Sequence, residues 1–509
     1  MNTDIRNNKR IAKNTLLLYI RMFLSIIIGL YTSRVILNAL DIEDYGIYNV
    51  VGGVVYMFNF LNAAMIATSQ RFIAYELGKG ENANLRKVFS MIMNTHTIIA
   101  LVVLVLAETI GLWFVNVKLN IPIERINAAN WVYQCSILSM IISIIGVPYN
   151  ASIVANEKMS VYAYVSIFEV LLKLSAALLL TISLPIDRLK LYAVLTLVSA
   201  FLIRLVYVSY CKNKIDGCKY VFIWDKGQFK EMMNFAGWSF FGNFGFIAKD
   251  QGVNILINIF EGPVVNAARG LAYQVNGVIQ GFVQNFQMAM NPQITKLYAS
   301  GNQRGMIQLA MRGSKYSFFL LLMIVVPILL NMDYILDLWL VEVPEFTNIF
   351  LSLALIMNLV HSMAGSFVTS IQATGKIKTF QLVIAAIMML DVPISYVLLK
   401  MGNPAYCVMY VAIFTNIAGL MARVIILKSL IPEFPIKEFC FKVFLRNVCV
   451  FVLTYFVLSC FSIKVEYIDE LLLYGLFILI YVLFVIMLVG LDSNERSFLY
   501  DKVRILIHR

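Results

Sequence analysis

The feature that most constrains this chain is a recurrence of apolar runs, each about 20 residues long, joined by short basic connections. A run of that length crosses the hydrocarbon core of a bilayer as a helix. Inside lipid every backbone N–H and C=O must be satisfied within the spanning structure, so only helices and closed barrels are available. Runs this long choose the helix. Windows of that size fall at 14–37, 47–69, 88–112, 128–149, 161–184, 190–211, 236–259, 268–291, 315–331, 347–371, 379–399, 405–427, 443–463 and 471–490. The expected fold is an all-α polytopic membrane protein with about 14 transmembrane helices. Hydrophobic residues make up 60% of the chain and charged residues 14%, where a soluble domain carries about 25% charged residues.

The opening residues, MNTDIRNNKRIAKN, are polar and basic, and apolar sequence then runs to about Leu40. No small-residue cleavage site follows a short apolar core, so a first membrane helix is expected here and not a removable signal. Orientation follows from Lys and Arg, which gather in cytoplasmic loops. With the N-terminus inside, the cytoplasmic segments hold Lys9, Arg10, Arg71, Lys79, Lys212, Lys296, Arg304, Lys428 and Arg509 among many others. The opposite side holds few, among them Lys118, Arg125, Arg188 and Lys400. Both termini and the 212–233 loop are therefore expected to be cytoplasmic. The net charge of +12 suits such loops beside anionic lipid, which makes membrane lipids an expected partner. The basic residues form no continuous patch, and no nucleic-acid partner is expected.

Composition breaks at 212–233 and at 428–446, which contains Pro432 and Pro435, divide the chain. The expected domains are an N-terminal lobe (1–215, spans 1–6), a C-terminal lobe (216–427, spans 7–12), and a final helix pair with a cytoplasmic tail (428–509). Weak internal similarity relates the lobes. Ser69-Gln70 is followed by Tyr75 and Gly78, and Pro292-Gln293 by Tyr298 and Gly301. Six spans return the chain to its starting side, so this pseudo-symmetric repeat must be parallel, about an axis along the membrane normal.

The stretch 245–301 reads as two helices joined by a turn at Gly262 and Pro263. At 100° per residue, Arg269, Asn276, Gln280, Gln284, Gln287 and Asn291 share an arc of about 80° on the second helix. Asn243, Asp250, Asn254 and Asn258 form a stripe on the first, and Asn59 belongs to a polar face of the second span. Unpaired amides and charges are costly in hydrocarbon. Interhelical hydrogen bonding accounts for one or two such residues; a whole stripe favours a wet cavity.

Other embedded charges divide by position. Arg21, Arg204 and Arg423 lie towards the cytoplasmic ends of their spans, where snorkelling suffices. Glu169 and Lys173 are spaced i,i+4 and can neutralise each other. Lys249 and Asp250 sit near mid-span, diverge by about 100°, and should have separate partners. Arg34 and Arg269 stand near the outer boundary, where headgroup anchoring and contact with an anion are both open; a guanidinium suits phosphate through parallel hydrogen bonds. The seven cysteines form no metal-ligand spacing, the three histidines lie far apart, and no nucleotide-binding or metallohydrolase motif occurs. No metal and no other cofactor is expected, and the acidic turn Asp41-Ile42-Glu43-Asp44 reads as solvated.

Three stretches carry a family resemblance: SRVILNALDIEDYGIYNVVGG at 33–53, NILINIFEGPVVNAARGLAYQV at 254–275, and NPQITKLYASG at 291–301. With the six-six-two layout they resemble the polysaccharide-exporter, or O-antigen flippase, branch of the multidrug/oligosaccharidyl-lipid/polysaccharide (MOP) superfamily. The resemblance covers nearly the whole chain. It implies two lobes that alternate access and carry an undecaprenyl-pyrophosphate-linked oligosaccharide from the inner to the outer leaflet of the bacterial inner membrane. It further implies Arg34, Lys249 and Arg269 as contacts for the pyrophosphate, and the polymerase and chain-length machinery of polysaccharide assembly as partners. Two other classes stand beside it. A cation-coupled drug antiporter shares the superfamily fold but favours an acidic cavity. A polytopic enzyme such as a repeat-unit polymerase would be expected to carry a large catalytic outer loop, and no loop here is long enough.

Overall fold

A computed structural model describes residues 2–56, 59–80, 83–119, 121–182, 185–340, 343–460, 465–493 and 495–497. The described residues are mostly helical, with no strand among them. Among the described residues, eleven stretches are long and apolar enough to cross a membrane, against the expected fourteen or so. The three that differ are 47–69, 236–259 and 268–291. The first crosses residues 57 and 58, which lie outside the described residues. The other two are helical, but with their amides, glycines and charges they are not among the eleven.

Packing divides the chain into two compact units. Unit 1 comprises residues 1–243 and 288–302, and unit 2 comprises residues 244–287 and 303–509. Unit 1 contains α1 (Asn2–Tyr56), α2 (Asn59–Gly78), α3 (Leu85–Leu106), α4 (Leu112–Val117), α5 (Ile126–Ala155), α6 (Met159–Leu179) and α7 (Arg188–Lys214). It also holds both ends of the long α8 (Lys226–Ala299). Asx caps set several starts: Asn84, Asp187 and Asp225 accept the backbone N–H groups of Lys87, Lys190 and Gln228. α1 breaks at Asp41, whose φ is 63°. Asp44, just beyond, pairs with Arg125, which also reaches Asp187 at 2.5 Å. The acidic turn expected to be merely solvated is an ion-pair anchor. A π-turn follows α3 at Ala107–Gly111, where Tyr133 Oη donates to the Ala107 carbonyl at 2.7 Å. Gly111 leaves the space that this hydroxyl fills. The unit's core centres on residues such as Val51, Val103, Val132, Tyr133 and Ile137.

Unit 2 holds the middle of α8 and then α9 (Gln303–Leu330), α10 (Met332–Trp339), α11 (Thr347–Ser362), α12 (Gly365–Thr374), α13 (Lys378–Met389), α14 (Asp391–Lys400), α15 (Cys407–Leu430), α16 (Ile436–Glu438), α17 (Arg446–Cys460) and α18 (Ile468–Val485). The turn expected at Gly262 is a break in α8, made with φ 84°, a backbone region that glycine enters without penalty. Pro393 lacks the N–H that a continuous helix would need, and the span 378–400 breaks at Leu390, placing Asp391 at the first turn of α14. Phe367 packs edge-on against Phe434 and Phe439 in the interior. Residues 498–509, part of the expected cytoplasmic tail, lie outside the described residues.

Candidate functional site

The polar stripes of α8 organise a charged cluster inside unit 2. Lys249 and Asp250 do take separate partners. Lys249 Nζ lies 2.5 Å from Asp391 Oδ2, and both side chains are sealed from solvent, at 8% and 1% exposure. This is a charge contact without hydrogen-bond alignment, and no donor reaches Asp391 Oδ1. Asp250 instead accepts from Arg269 Nη2 at 2.6 Å, and Asn254 Oδ1 accepts from Nη1 of the same guanidinium at 3.1 Å. Tyr273 stacks its ring 4.3 Å from the Arg269 guanidinium carbon. The two halves of α8, broken at Gly262, are thus joined through Arg269 and its partners Asp250 and Asn254.

The remaining stripe residues separate into two groups. Asn276 is buried and accepts from Asn358 Nδ2 at 3.0 Å. Gln287 donates to the Ser362 carbonyl at 3.0 Å and to Ser317 Oγ at 3.4 Å, with Gly365 clearing room for its amide. These two are interhelical glue. Gln280 is half-buried and Gln284 is exposed, and neither has a partner among the described residues. Cysteine at 284 is therefore expected to react with a water-soluble thiol reagent, in a background without native cysteines, while cysteine at 276 resists. Equal protection of both would put Gln284 against another helix and remove it from any wet surface.

Arg34 belongs to unit 1, where it is exposed and has no ionic partner among the described residues. Asn59 opens α2, but its side chain lies outside the described residues. Glu169 and Lys173 pair at 2.7 Å. Arg21 stacks on Tyr162 and Arg204 donates to the Ile142 carbonyl. No group of three or more His, Cys, Asp or Glu side chains able to hold a metal occurs among the described residues.

Sequence reading missed two participants and misplaced a third. Asp391 is a carboxylate alone in an apolar run, and that isolation was itself the signal that a distant cation must meet it. His361 on α11 lies near Asn416 and Arg423 of α15 and Lys249 of α8. Arg423 does not snorkel. It is 7% exposed, its Nε has no hydrogen-bond partner, and no carboxylate pairs with it among the described residues. Position along the span suggested a route to water, but the folded structure buries the side chain.

No family model matches the sequence, and no curated protein matches it. Solved structures share its fold. An outward-facing multidrug-resistance MATE family transporter of the MOP superfamily aligns with TM-score 0.72 at 13% identity, over 84% of this chain and 97% of its own. A MOP superfamily transporter from Pyrococcus furiosus, described by a reversed polarity of its binding pocket, gives 0.69 at 13% identity, over 83% and 96%. The bent form of the Vibrio cholerae MATE transporter VcmN gives 0.66 at 13% identity, over 84% and 98%. At that identity the likeness establishes a shared fold.

Proposed function

We propose that this chain is a bacterial inner-membrane transporter that moves an anionic lipid-linked oligosaccharide, of the undecaprenyl-pyrophosphate class, from the inner to the outer leaflet. Its termini would then be cytoplasmic, its role transport and not catalysis, and its partners the machinery that polymerises the exported units. The shared fold supports transport, because the chains that have it are transporters. The sign of the cargo is argued from one observation. Among the buried charges described in unit 2, Lys249 is balanced by Asp391, Arg269 by Asp250 and Lys315 by Glu495, and the charge left over is the positive charge of Arg423. A buried interior with an excess cation favours an anion.

A cation-coupled drug antiporter suits the fold equally well, and Asp250, whose side chain is 38% exposed, is the feature that would serve a cation. Deleting the gene separates the two readings. The expected outcome is loss of surface polysaccharide with lipid-linked repeat units accumulating in the membrane, restored by the wild-type gene. Intact polysaccharide with increased sensitivity to cationic drugs would replace the flippase reading with the antiporter.

A further inference from the structure

The segment 215–225, between α7 and α8 in unit 1, is fastened to α3 along its length. It turns at Gly217, whose φ is 85°, a backbone region open to glycine. A Cβ there would stand 2.6 Å from Leu85 Cβ and 3.3 Å from the Arg86 nitrogen, so the turn lies hard against the start of α3. The Val221 N–H then donates to Ser90 Oγ at 3.1 Å, and Asn94 Nδ2 donates to the Ile223 carbonyl at 2.9 Å. Tyr220 Oη donates to Asn94 Oδ1 at 2.8 Å. Lys87 closes the far end on Asp225 at 2.7 Å. All of these partners lie in the first turns of the candidate span Leu85–Val117, which has 33 residues where about 20 suffice. The basic pair Arg86-Lys87 and the polar Ser90 and Asn94 mark those turns as the part that stands at headgroup depth.

Pinned in this way, the segment shows an amphipathic face. Exposure alternates with the period of an extended chain: Tyr220, Phe222 and Trp224 are 45%, 75% and 47% exposed, while Val221 and Ile223 between them are half-buried. Trp224 is held against Phe229, with ring centroids 4.8 Å apart. Beside this row Lys212, Lys219, Lys226 and Lys230 are exposed, and none has an ionic partner among the described residues. The nearby acids are already engaged, Asp225 by Lys87 and Glu231 by Arg71. Asp216 is the one acid of 212–231 without an ion pair among the described residues.

We propose that residues 212–230 form a docking surface for acidic phospholipid, with Tyr220, Phe222 and Trp224 seated at the headgroup–acyl boundary and the four lysines drawing anionic headgroups to this edge of unit 1. One lipid surface satisfies both features. Tyrosine and tryptophan rings settle where one end is apolar and the other wet, and lysines beside a membrane favour acidic lipid. A protein occupant would have to offer an acidic face and displace a bilayer that the neighbouring spans α3 and α7 already enter. The inference concerns this surface alone and does not depend on the cargo.

The test uses the full chain in vesicles of phosphatidylcholine and phosphatidylglycerol, with Trp224 retained and Trp113, Trp131, Trp238 and Trp339 replaced by phenylalanine. One lipid at a time carries bromine at a shallow acyl position. Brominated phosphatidylglycerol should quench Trp224 as though enriched about fivefold over its bulk fraction, the factor that one lysine near an acidic surface contributes. Glutamine at Lys212, Lys219, Lys226 and Lys230 should bring that enrichment to about one, and high salt should lower it in the unsubstituted chain. Equal quenching by the two brominated lipids overturns the proposal. So does quenching by aqueous acrylamide with none by either bromolipid, which would leave the row in water. Wild type gives a second measurement should the tryptophan replacements prevent folding. Lipid retained through extraction in mild detergent should be enriched in phosphatidylglycerol, and the four-lysine variant, substituted only at exposed side chains, should lose that enrichment. Retention at bulk composition in wild type, or unchanged enrichment in the variant, overturns the docking surface.

Discussion

Replacing Glu157 by glutamine is expected to destabilise unit 1 by about 3 kcal/mol, the lower end of what removing one partner of a buried ion pair costs. Glu157 sits in the turn after α5 with φ 59°, and its side chain is 1% exposed. Its carboxylate accepts from Lys296 at 2.6 Å, Gln293 at 2.8 Å and Arg10 at 2.7 Å. Its backbone carbonyl accepts from Asn14 at 3.2 Å. One acid thus fastens α1 and the last turns of α8 to the α5–α6 turn. The lower figure is chosen because a cavity of about 250 Å³ opens beside Arg10, Gln293 and Lys296, and water there screens the orphaned cations. The variant should also change its pH response. Burial pulls the Lys296 ammonium below its ordinary value, and the Glu157 charge and hydrogen bond push it part of the way back. A lysine lowered on folding makes the unfolded state the better proton binder between its two values, so stability rises with pH across that window. Without the Glu157 charge, Lys296 drops further and the window extends to lower pH. Chemical or thermal unfolding of Glu157→Gln within about 0.5 kcal/mol of wild type, the usual scatter of surface substitutions, would refute the anchor.

The second large effect belongs to the Lys249–Asp391 pair. Lys249→Met should cost about 3–5 kcal/mol, because it strands a carboxylate in a sealed interior where Oδ1 already lacks a donor. Asp391→Leu should cost less than the pair's proximity suggests if Lys249 can relax towards Met388 and Phe246. The informative protein is the double variant Lys249→Met with Asp391→Leu. Replacing both charges by apolar groups of similar size removes the penalty along with the attraction, and its stability should return to within about 1 kcal/mol of wild type. A double variant as unstable as the sum of the singles would mean that each charge has an independent partner. Recovered stability combined with lost transport would show that the charges are retained for function.

Much of this molecule is local in origin, and the sequence carries that part openly. Apolar runs of membrane length decide helices over strands, because lipid leaves the backbone no other partners. The break at Gly262 was legible from a Gly-Pro pair between two periodic segments, and the Glu169–Lys173 contact from their i,i+4 spacing. That Lys249 and Asp250 face different neighbours follows from helix geometry alone. Who those neighbours are does not. Asp391 reaches Lys249 and Asn358 reaches Asn276 from distant spans, and no spacing along the chain encodes that meeting. The stripe on α8 shows the same limit. Periodicity places Asn276, Gln280, Gln284 and Gln287 on one side of the helix, but only packing makes Asn276 and Gln287 glue and leaves Gln284 open. Arg423 marks the boundary most sharply. Its position along α15 allows a side chain of that length to reach water, and the helices packed over it remove the route. Helical phase is a property of the chain, whereas burial and pairing belong to the contacts between helices, and those exist only in the tertiary structure.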